Sequence, residues 1–282
     1  MFSLFIFVAF VGGILYKRQT RGEAFLYSVD FTGGTQVLLG FSEPVSANKI
    51  VSILEEHGWQ GASTREFGPK EVLVRVKFFE SDARGLASRM QTVLEEALPG
   101  VQVEIKQTDS VGSGVGESLR WKSVQAVVIA LLMMLIFIWW RFWSFAFAFG
   151  NVVSLFHDAI VILTFVLWFD YEISLNVIAA ILFILGYSIN DTIVIFSRIR
   201  ENMRKLKTKS LEYITNLSIN ETLRRTLLTS FATSLVVVAL VLFGGEALRV
   251  LALSLLIGIV FGTYSSIYIA SPVMLMFARN DE

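Results

Sequence analysis

Long apolar runs separated by short polar turns fill the second half of the chain, and another apolar run opens it. Uncharged or nearly uncharged stretches fall at residues 2–16, 124–140, 142–169, 173–196, 227–243 and 250–277. A helix needs roughly 17–25 mostly apolar residues to cross about 30 Å of hydrocarbon, and the last five stretches reach that length. The first is shorter, but it lacks a small-residue cleavage site and is interpreted as a membrane helix rather than a signal peptide. The pattern predicts six transmembrane helices.

The polar segment after the first of these helices has the periodicities of a small mixed domain. Its expected elements are strand, helix, two hairpin strands, helix and strand, at residues 30–41, 46–59, 62–67, 71–78, 81–98 and 101–107. Val72, Val74 and Val76 occupy alternate positions, as in a half-buried strand. The glycine pair inside the first strand predicts a bulge or kink there. The order β-α-β-β-α-β predicts a ferredoxin-like fold.

The chain is therefore expected to be a polytopic α-helical membrane protein with six transmembrane helices and a small external α+β domain. The first transmembrane helix is placed at residues 1–16 and the external ferredoxin-like domain at residues 17–122. A five-helix transmembrane bundle is placed at residues 123–282.

Positive charge is concentrated at residues 198–225, which carry eight Lys or Arg against three Glu. Such an excess marks the cytoplasmic side, so residues 198–218 are expected to form a cytoplasmic loop. Counting helices from this loop places both termini in the cytoplasm and residues 17–122 outside. Lys17, Arg18 and Arg21 run against this rule.

Composition narrows the possible functions. With 54% hydrophobic and 17% charged residues, the chain is too apolar for an ordinary soluble protein. The absence of cysteine excludes disulfides and thiolate metal sites. A formal net charge of zero gives no indication of nucleic acid. The sequence has no nucleotide-binding loop, nucleophile–base pair or metal-ligand cluster, so neither enzymatic activity nor a cofactor or metal is expected.

One acidic residue, Asp191, lies inside the apolar run 173–196. A carboxylate at bilayer depth costs roughly 2.5–3.5 kcal/mol even on the lenient insertion scale. A helix that tolerates this cost generally uses the group for an ion, a proton or a buried partner.

Several motifs occur together along the chain in a specific order. They are Asp30-Phe-Thr-Gly-Gly-Thr35, Val111-Gly-Ser-Gly-Val-Gly-Glu-Ser-Leu119, Gly186-Tyr-Ser-Ile-Asn-Asp-Thr-Ile-Val194 continuing to Asn202, Asn220-Glu-Thr-Leu-Arg-Arg-Thr-Leu-Leu-Thr-Ser230, Gly244-Gly245 and Gly258-x-x-x-Gly-Thr-Tyr-Ser-Ser266. This ordered set, with Asp30, Gly33, Gly34 and Thr35 in the first motif, resembles the SecF family of protein-export membrane proteins. The family usually has proline where Ser113 stands and often aspartate where Ser197 stands.

The resemblance implies membrane helices of the resistance-nodulation-division type in the bacterial inner membrane. It also implies SecD, which supplies a similar six-helix half, and the SecYEG translocon with its associated membrane subunits as partners. The resemblance further implies that the substrate is an unfolded preprotein and that the chain contacts membrane lipid. The implied energy source is the proton motive force or a sodium gradient.

Two antiparallel helices place Asp191 and Arg225 at comparable depth, since each lies about 10 Å from the cytoplasmic boundary at 1.5 Å per residue. We assign both to an ion or proton relay, as in the resembling family, together with Asp158 beside His157 in the third helix. The alternatives are a static buried ion pair and an Arg225 that snorkels to the headgroups. Polar neighbours either line a water-accessible path or pack helices together: Ser188, Asn190, Thr192, Thr229, Ser230 and Thr233.

The leading hypothesis is an auxiliary subunit that uses the ion gradient to assist late stages of preprotein translocation together with SecD. One alternative is a half-transporter of the resistance-nodulation-division type that exports lipid or small molecules. Another is a passive scaffold of the translocon. The sequence leaves open the choice of proton or sodium and whether the chain is a piece of a SecD–SecF fusion.

Overall fold

The computed structural model of the chain describes residues 2–68, 70–76 and 82–278. Its elements in chain order are α1 (Phe2–Arg21), β1 (Leu26–Tyr27), α2 (Val29–Thr32), β2 (Gly34–Phe41), α3 (Ala47–Glu56), β3 (Ser63–Gly68), β4 (Glu71–Val76), α4 (Ala83–Ala97), β5 (Val103–Val111), α5 (Ser113–Phe142), α6 (Phe145–Trp168), β6 (Glu172–Ile173), α7 (Leu175–Lys205), α8 (Leu211–Phe243), α9 (Gly245–Ser265), a π-helical turn (Ser266–Ala270) and α10 (Ser271–Ala278). They form two compact units, a helical unit of Met1–Leu26 and Val124–Glu282 and an α/β unit of Tyr27–Ser123.

Within the described ranges, five helical stretches are long and apolar enough to cross a membrane. They are Gly114–Phe142, Phe145–Trp168, Leu175–Lys205, Leu211–Phe243 and Ala247–Ala278. The last of them joins α9, the π-helical turn and α10 into one continuous helix. The five stretches correspond to the last five apolar runs of the sequence.

The helices extend beyond the apolar runs that predicted them. Ser174 and Ser210 cap the N-termini of α7 and α8, and their hydroxyl oxygens accept hydrogen bonds from the backbone N–H groups three residues on. The other end of α7 continues through a charged turn to Lys205. The terminal turns of these helices are polar, so a search for apolar runs alone does not detect them.

The second half of the helical unit is organised around α9, which packs against α6, α7 and α8. Gly258 and Gly262 lie where α9 approaches α7. A Cβ on Gly258 would lie 2.4 Å from Cγ1 of Ile184, and one on Gly262 would lie 3.3 Å from Cβ of Ser188. The Gly-x-x-x-Gly spacing therefore permits a close helix–helix approach.

The α/β unit contains a four-stranded antiparallel sheet in the order β3-β4-β2-β5. Its elements over residues 34–111 follow the order β-α-β-β-α-β. Val37 pairs with Val74 and Leu39 with Val72, which places four buried side chains on one face of the sheet. With Leu54 of α3 and residues of α4, they form an apolar core.

The structure corrects the first predicted strand. The segment that begins at Asp30 forms the short helical turn α2, capped by the Ser28 hydroxyl, and β2 starts only at Gly34. Gly33 and Gly34 have φ values of 72° and 112°, in a region where residues with a side chain are strained. The glycine pair thus reverses the chain between a helical turn and a strand.

Other boundaries also differ. α1 continues to Arg21, beyond the predicted end at residue 16, and β5 runs from Val103 to Val111 rather than from 101 to 107. α4 begins at Ala83, and the carboxylate of Asp82 accepts a hydrogen bond from N–H of Gly85 at 2.9 Å. Residues 77 and 78 of the predicted strand and residue 81 of the predicted helix lie outside the described residues.

Candidate functional site

Asp191 lies on the inward face of α7. Ser188, Asp191, Thr192 and Ile195 recur at helical spacing on this face and are all buried. The Asp191 residue is only 4% exposed, and its Oδ2 has no hydrogen-bond partner in the described part of the chain. A buried carboxylate oxygen without a donor is costly to the folded state.

Two groups of α8 lie near the Asp191 carboxylate. One is the charge of Arg225, and the other is the hydroxyl of Ser230. No guanidinium nitrogen of Arg225 lies within 4.0 Å of the carboxylate among the described ion pairs, and Arg225 itself is exposed. In this state the two predicted relay residues are therefore electrostatic neighbours without a closed salt bridge.

Ser230 has competing partners. Its Oγ lies 2.6 Å from Oγ1 of Thr263 on α9, and the Thr263 hydroxyl donates to the carbonyl oxygen of Ile259 at 2.9 Å. The hydroxyl of Tyr187 donates to Ser230 Oγ at 3.4 Å. A serine hydroxyl has one hydrogen. Donation from Ser230 to Thr263 and donation from Ser230 to Asp191 therefore exclude each other.

Asp158 on α6 is fully buried between three helices. Ser188 of α7 donates a hydrogen bond from Oγ to Asp158 Oδ2 at 2.7 Å, and His157 Nδ1 lies 3.3 Å from Oδ1. From α9, Ser265 lies near the carboxylate, but its hydroxyl donates to the carbonyl oxygen of Gly262 at 3.1 Å. A Cβ on Gly262 would lie 3.7 Å from Oδ2. The absence of a side chain at Gly262 thus leaves room for this cluster.

The two aspartates are connected through α7. Ser188, which hydrogen-bonds to Asp158, lies one turn before Asp191 on the same buried face. Thr192 is buried on that face too, but its hydroxyl donates to the backbone carbonyl of Ser188 at 3.4 Å. The structure thus brings Asp158, Ser188 and Asp191 together in one polar region of the helical unit.

Other predicted residues lie elsewhere. Asn190 directly precedes Asp191 on α7, about 100° away around the helix, and is exposed. Thr229 is exposed on α8, and its hydroxyl donates within the helix to the carbonyl oxygens of Arg225 and Thr226 at 3.1 and 3.0 Å. Neither side chain joins the polar region in this chain.

The motif residues Asp30, Gly33, Gly34 and Thr35 belong to the α/β unit. Asp30 interacts with Ser28, whose Oγ donates to Asp30 Oδ2 at 3.0 Å, and Thr35 Oγ1 lies 2.7 Å from Ser110 Oγ. A Cβ on Gly116, in the second family motif, would lie 2.9 Å from the backbone nitrogen of Gly33. The two glycine motifs therefore pack against each other, in agreement with a structural role.

The sequence analysis did not assign a site role to Tyr187, Thr263 or Ser265. A signal was present in the small polar residues that directly follow the Gly258–Gly262 pair, because such a pair marks a helix contact. The direction of each side chain was not available from the sequence, since α9 is apolar on most of its surface. In the described residues, no group of three or more His, Cys, Asp or Glu side chains could hold a metal ion.

A second charged cluster lies in the helical unit, between α6 and β6. Lys17 Nζ and Arg21 Nη1 of α1 contact the carboxylate of Asp170 at 2.6 and 2.5 Å. Partial burial raises the pKa of Asp170, but the hydrogen bonds and charges of Lys17 and Arg21 outweigh that effect, so the pKa is lowered. Asp170 therefore neutralises part of the positive charge that conflicted with the predicted orientation.

Comparison with known proteins gives matches over most of the chain. Residues 90–280 match the family model described as protein export membrane protein SecD/SecF, C-terminal, and residues 27–45 match the SecD/SecF GG motif. Protein translocase subunit SecF of Rhodothermus marinus is 40% identical over 93% of this chain and 85% of its own length. The SecF subunit of Pseudomonas aeruginosa is 39% identical over 91% of this chain and 83% of its own length.

A solved structure is also similar. The crystal structure of SecDF from Thermus thermophilus, described as a translocon-associated membrane protein, has a TM-score of 0.85 and 33% sequence identity. The match covers 98% of this chain, which spans 37% of the length of that SecDF chain. On the family-model match and the SecF relatives together, the chain belongs to the SecF branch of the SecD/SecF family of protein-export membrane proteins.

Proposed function

We propose that the chain is an auxiliary subunit of the Sec protein-export machinery, which works with SecD and the SecYEG translocon on unfolded preproteins. In this proposal it uses a proton or sodium gradient to assist late stages of translocation and is not an enzyme. The names of its relatives, protein translocase subunit SecF and SecDF, support the role in export. The ion coupling rests on the polar region of the helical unit.

The carrying observation is the buried carboxylate of Asp191, whose Oδ2 lacks a hydrogen-bond donor in the described residues. Arg225 acts on it by charge without an ion pair within 4.0 Å. A static ion pair would have both charges in contact and their hydrogen bonds satisfied. A carboxylate that is buried but incompletely paired is instead suited to exchange a proton or a cation. Movement of one charge across the membrane potential is worth roughly 2.3 kcal/mol per 100 mV.

Ser230 supplies a way to couple this exchange to helix packing. Its hydrogen can serve Thr263 of α9 or the carboxylate of Asp191, but not both. We expect the ionised carboxylate to attract this hydrogen and the neutral one to release it to Thr263, because hydrogen bonds to a charged acceptor are the stronger ones. The change would alter the contact between α8 and α9, which are packed together.

Asp158 takes the second relay position in this proposal. It is linked by Ser188 to the face of α7 that carries Asp191, and it has no exposed surface. Ser188 and Thr192 support the relay by their place on that face. Asn190 and Thr229 are exposed in this chain, so any part they take would require a neighbouring subunit such as SecD.

The proposed placement has six transmembrane helices in the bacterial inner membrane, with both termini cytoplasmic. α1 would be the first of them, because its 20 residues span about 30 Å and it packs against α6. Residues 17–122 are proposed to be extracytoplasmic, with the cytoplasmic loop at residues 198–218. The element order and the strand order β3-β4-β2-β5 support a ferredoxin-like assignment for the α/β unit.

The test uses the full chain together with its SecD partner in inverted membrane vesicles, with translocation of a preprotein measured before and after the gradient is collapsed. The variant Asp191→Asn keeps the shape of the side chain but cannot ionise. It is expected to assemble normally and to lose the gradient-dependent part of export. The matched control is Glu212→Gln, which converts an exposed carboxyl at the start of α8 in the same way and should export normally.

Gradient-dependent export at the normal level with Asp191→Asn would contradict ion coupling through this residue and would favour the passive scaffold. Depletion of the protein from cells distinguishes the export role from the half-transporter alternative. Accumulation of precursor proteins agrees with export, whereas altered drug or lipid export with normal secretion would agree with a half-transporter.

A further inference from the structure

A basic cavity lies where the corner between α5 and α6 meets the last turns of α7. Its volume is about 520 Å³, within the range of ligand-binding clefts. Four cationic side chains line it, against one acidic side chain. They are Arg141, Arg200, Arg204, Lys205 and the acid Glu201. None of these residues is part of the proposed relay.

The single acid in this lining is already engaged. Glu201 accepts hydrogen bonds from Lys205 at 2.5 Å and from Arg198 at 2.7 Å, one on each carboxylate oxygen. Arg198 is not among the residues that line the cavity. Glu201 therefore neutralises the lysine but has no free oxygen for the arginines.

The three arginines of the lining have no carboxylate within 4.0 Å among the residues that the structure describes. Arg200 donates to a neutral group, the backbone carbonyl oxygen of Arg141, at 3.3 Å. The Arg141 guanidinium lies 5.3 Å from the ring centroid of Phe142. A cavity with three uncompensated guanidinium groups is suited to an anion with several oxygens, since each guanidinium can donate two parallel hydrogen bonds.

The surroundings indicate where such an anion comes from. Trp143 is 72% exposed at the rim of the cavity, and Trp139 and Trp140 are exposed on the preceding turn of α5. Tryptophan is enriched at the boundary between membrane and water. The apolar part of α5 below them is exposed on most of its surface and can receive acyl chains. Basic pockets between membrane helices are typical sites for anionic lipid headgroups.

We propose that this cavity binds the phosphate headgroup of an anionic glycerophospholipid, with its acyl chains along the outward face of α5. Arg141 and Arg204 would contact the phosphodiester oxygens, and Trp143 would lie against the glycerol region. Phe142, which lines the cavity, belongs to an aromatic cluster with Phe147 and Phe196, and the ring centroids lie 5.0–6.0 Å apart. A bound lipid would thus hold the α5–α6 corner to the end of α7.

The test measures lipid binding to the purified full chain in detergent by native mass spectrometry, with phosphatidylglycerol as the probe. The double variant Arg141→Gln/Arg204→Gln removes two cavity charges. A basic residue near an anionic headgroup contributes roughly fivefold in affinity, so the double variant should bind about 25-fold more weakly. The matched control is Lys207→Gln/Arg224→Gln, which removes two exposed charges outside the cavity and should bind as the parent does.

The single variant Arg204→Gln serves if the double variant is unstable, because Arg204 is exposed and its replacement removes no core contact. It should weaken binding about fivefold. Equal weakening by the control pair would overturn the proposal in favour of general surface charge. Binding of phosphatidylcholine as tight as that of phosphatidylglycerol would contradict the proposal and indicate a nonspecific lipid contact. Displacement of the lipid by inorganic phosphate at equal concentration would assign the site to a free anion.

Discussion

The two units of the chain bury polar groups to different extents. In the described residues of the α/β unit, the core is an apolar cluster built from strand and helix side chains. No aspartate or glutamate there is buried as a whole residue, although Oε2 of Glu71 is buried. The helical unit buries the carboxylates of Asp158 and Asp191 and the amide of Asn151. Neither polar atom of the Asn151 side chain has a partner among the described residues. The α/β unit is thus arranged for stability, while the helical unit retains polar groups at a cost.

The two units also differ in the side chains that they expose on their outer surfaces. Apolar side chains such as Val236 and Phe231 are exposed on α8, whereas the sheet and the helices α3 and α4 of the α/β unit place their large apolar residues inside. In a membrane, lipid tails are as apolar as leucine, so burial of apolar groups between helices contributes little. Stability in the helical unit has to come from close packing and polar contacts.

The largest expected effect comes from an apolar truncation in the α/β unit, and a truncation on the outer face of the helical unit is its contrast. Leu54→Ala, at a fully buried position of α3, should destabilise the α/β unit by about 2–5 kcal/mol. Val236→Ala on α8, which is 71% exposed, should change stability by less than about 0.5 kcal/mol. Proteolysis of the full chain in increasing urea, with cleavage mapped to residues 27–123, measures the first. Thermal unfolding in detergent measures the second.

An equal loss of stability in Leu54→Ala and Val236→Ala would contradict the difference between the two units. It would mean that the outer face of α8 is covered by protein in the purified sample rather than by detergent or lipid. A second copy of the chain or a bound subunit would then have to be considered, and cross-linking from that face would identify it.

The next effect concerns close packing. A Cβ on Gly150 of α6 would lie 2.6 Å from the carbonyl oxygen of Ala270 in the π-helical turn. Because that oxygen belongs to the backbone, Gly150→Ala should destabilise the helical unit by about 1–3 kcal/mol. Gly186→Ala on α7 is the control, since a Cβ there would have no atom within 4 Å. It should be neutral or stabilising by up to about 1 kcal/mol.

Thermal unfolding of the two glycine variants in detergent gives the comparison. A stable Gly150→Ala variant would indicate that α6 and the π-helical turn can separate without cost. Close contact would then not be the source of stability in this part of the bundle.

The α/β unit was the easier part to predict from sequence. Alternation at Val72, Val74 and Val76 and an apolar stripe on α4 each point to a single buried face, and the order of elements followed from them. The prediction was wrong for the segment that begins at Asp30, which was expected to be a strand but forms a capped helical turn. The Ser28 cap and the positive φ of Gly33 produce this turn, and alternation of apolar and polar residues carries no information about either.

The last five apolar runs of the helical unit were predicted well, and the directions of its interior side chains less well. The position of Asp191 in an apolar run predicted a relay residue; the structure buries it, and its role stays a prediction. The sequence did not distinguish Ser188, which contacts Asp158, from Asn190, which is exposed. When nearly every position of a helix is apolar, periodicity no longer reports direction, so only contacts assign the faces.

A smaller effect should come from the hydrogen bond between Ser188 and Asp158. Ser188→Ala removes the donor 2.7 Å from Oδ2 and should destabilise the helical unit by about 1 kcal/mol, since His157 remains as a partner of Oδ1. Ser234→Ala is the control, because Ser234 lies on α8 and its hydroxyl has no partner in the described residues. Thermal unfolding of both variants in detergent provides the measurement. Equal stability of the two would show that Asp158 is not held by Ser188.

The smallest expected effect is a loss of stability of the helical unit at acid pH, when Asp170 becomes protonated. Its folded pKa is lowered, so it lies below the unfolded value of about 3.9. The stabilisation is then fully present above about pH 4 and is lost as the pH falls through the folded pKa. The Asp170 side chain is 45% exposed, so solvent and salt screen the contact and the change should be small. Thermal unfolding between about pH 2.5 and 6 should show this loss.

Asp170→Asn should flatten that acid dependence, because the neutral amide cannot form the ion pair with Lys17 and Arg21. Glu23→Gln removes a nearby exposed carboxyl and should leave the dependence as it is. If both variants keep the parent's acid response, the loss arises elsewhere in the chain. The contact of α1 with Asp170 would then contribute no measurable stability, and the helical unit would depend on its interior contacts alone.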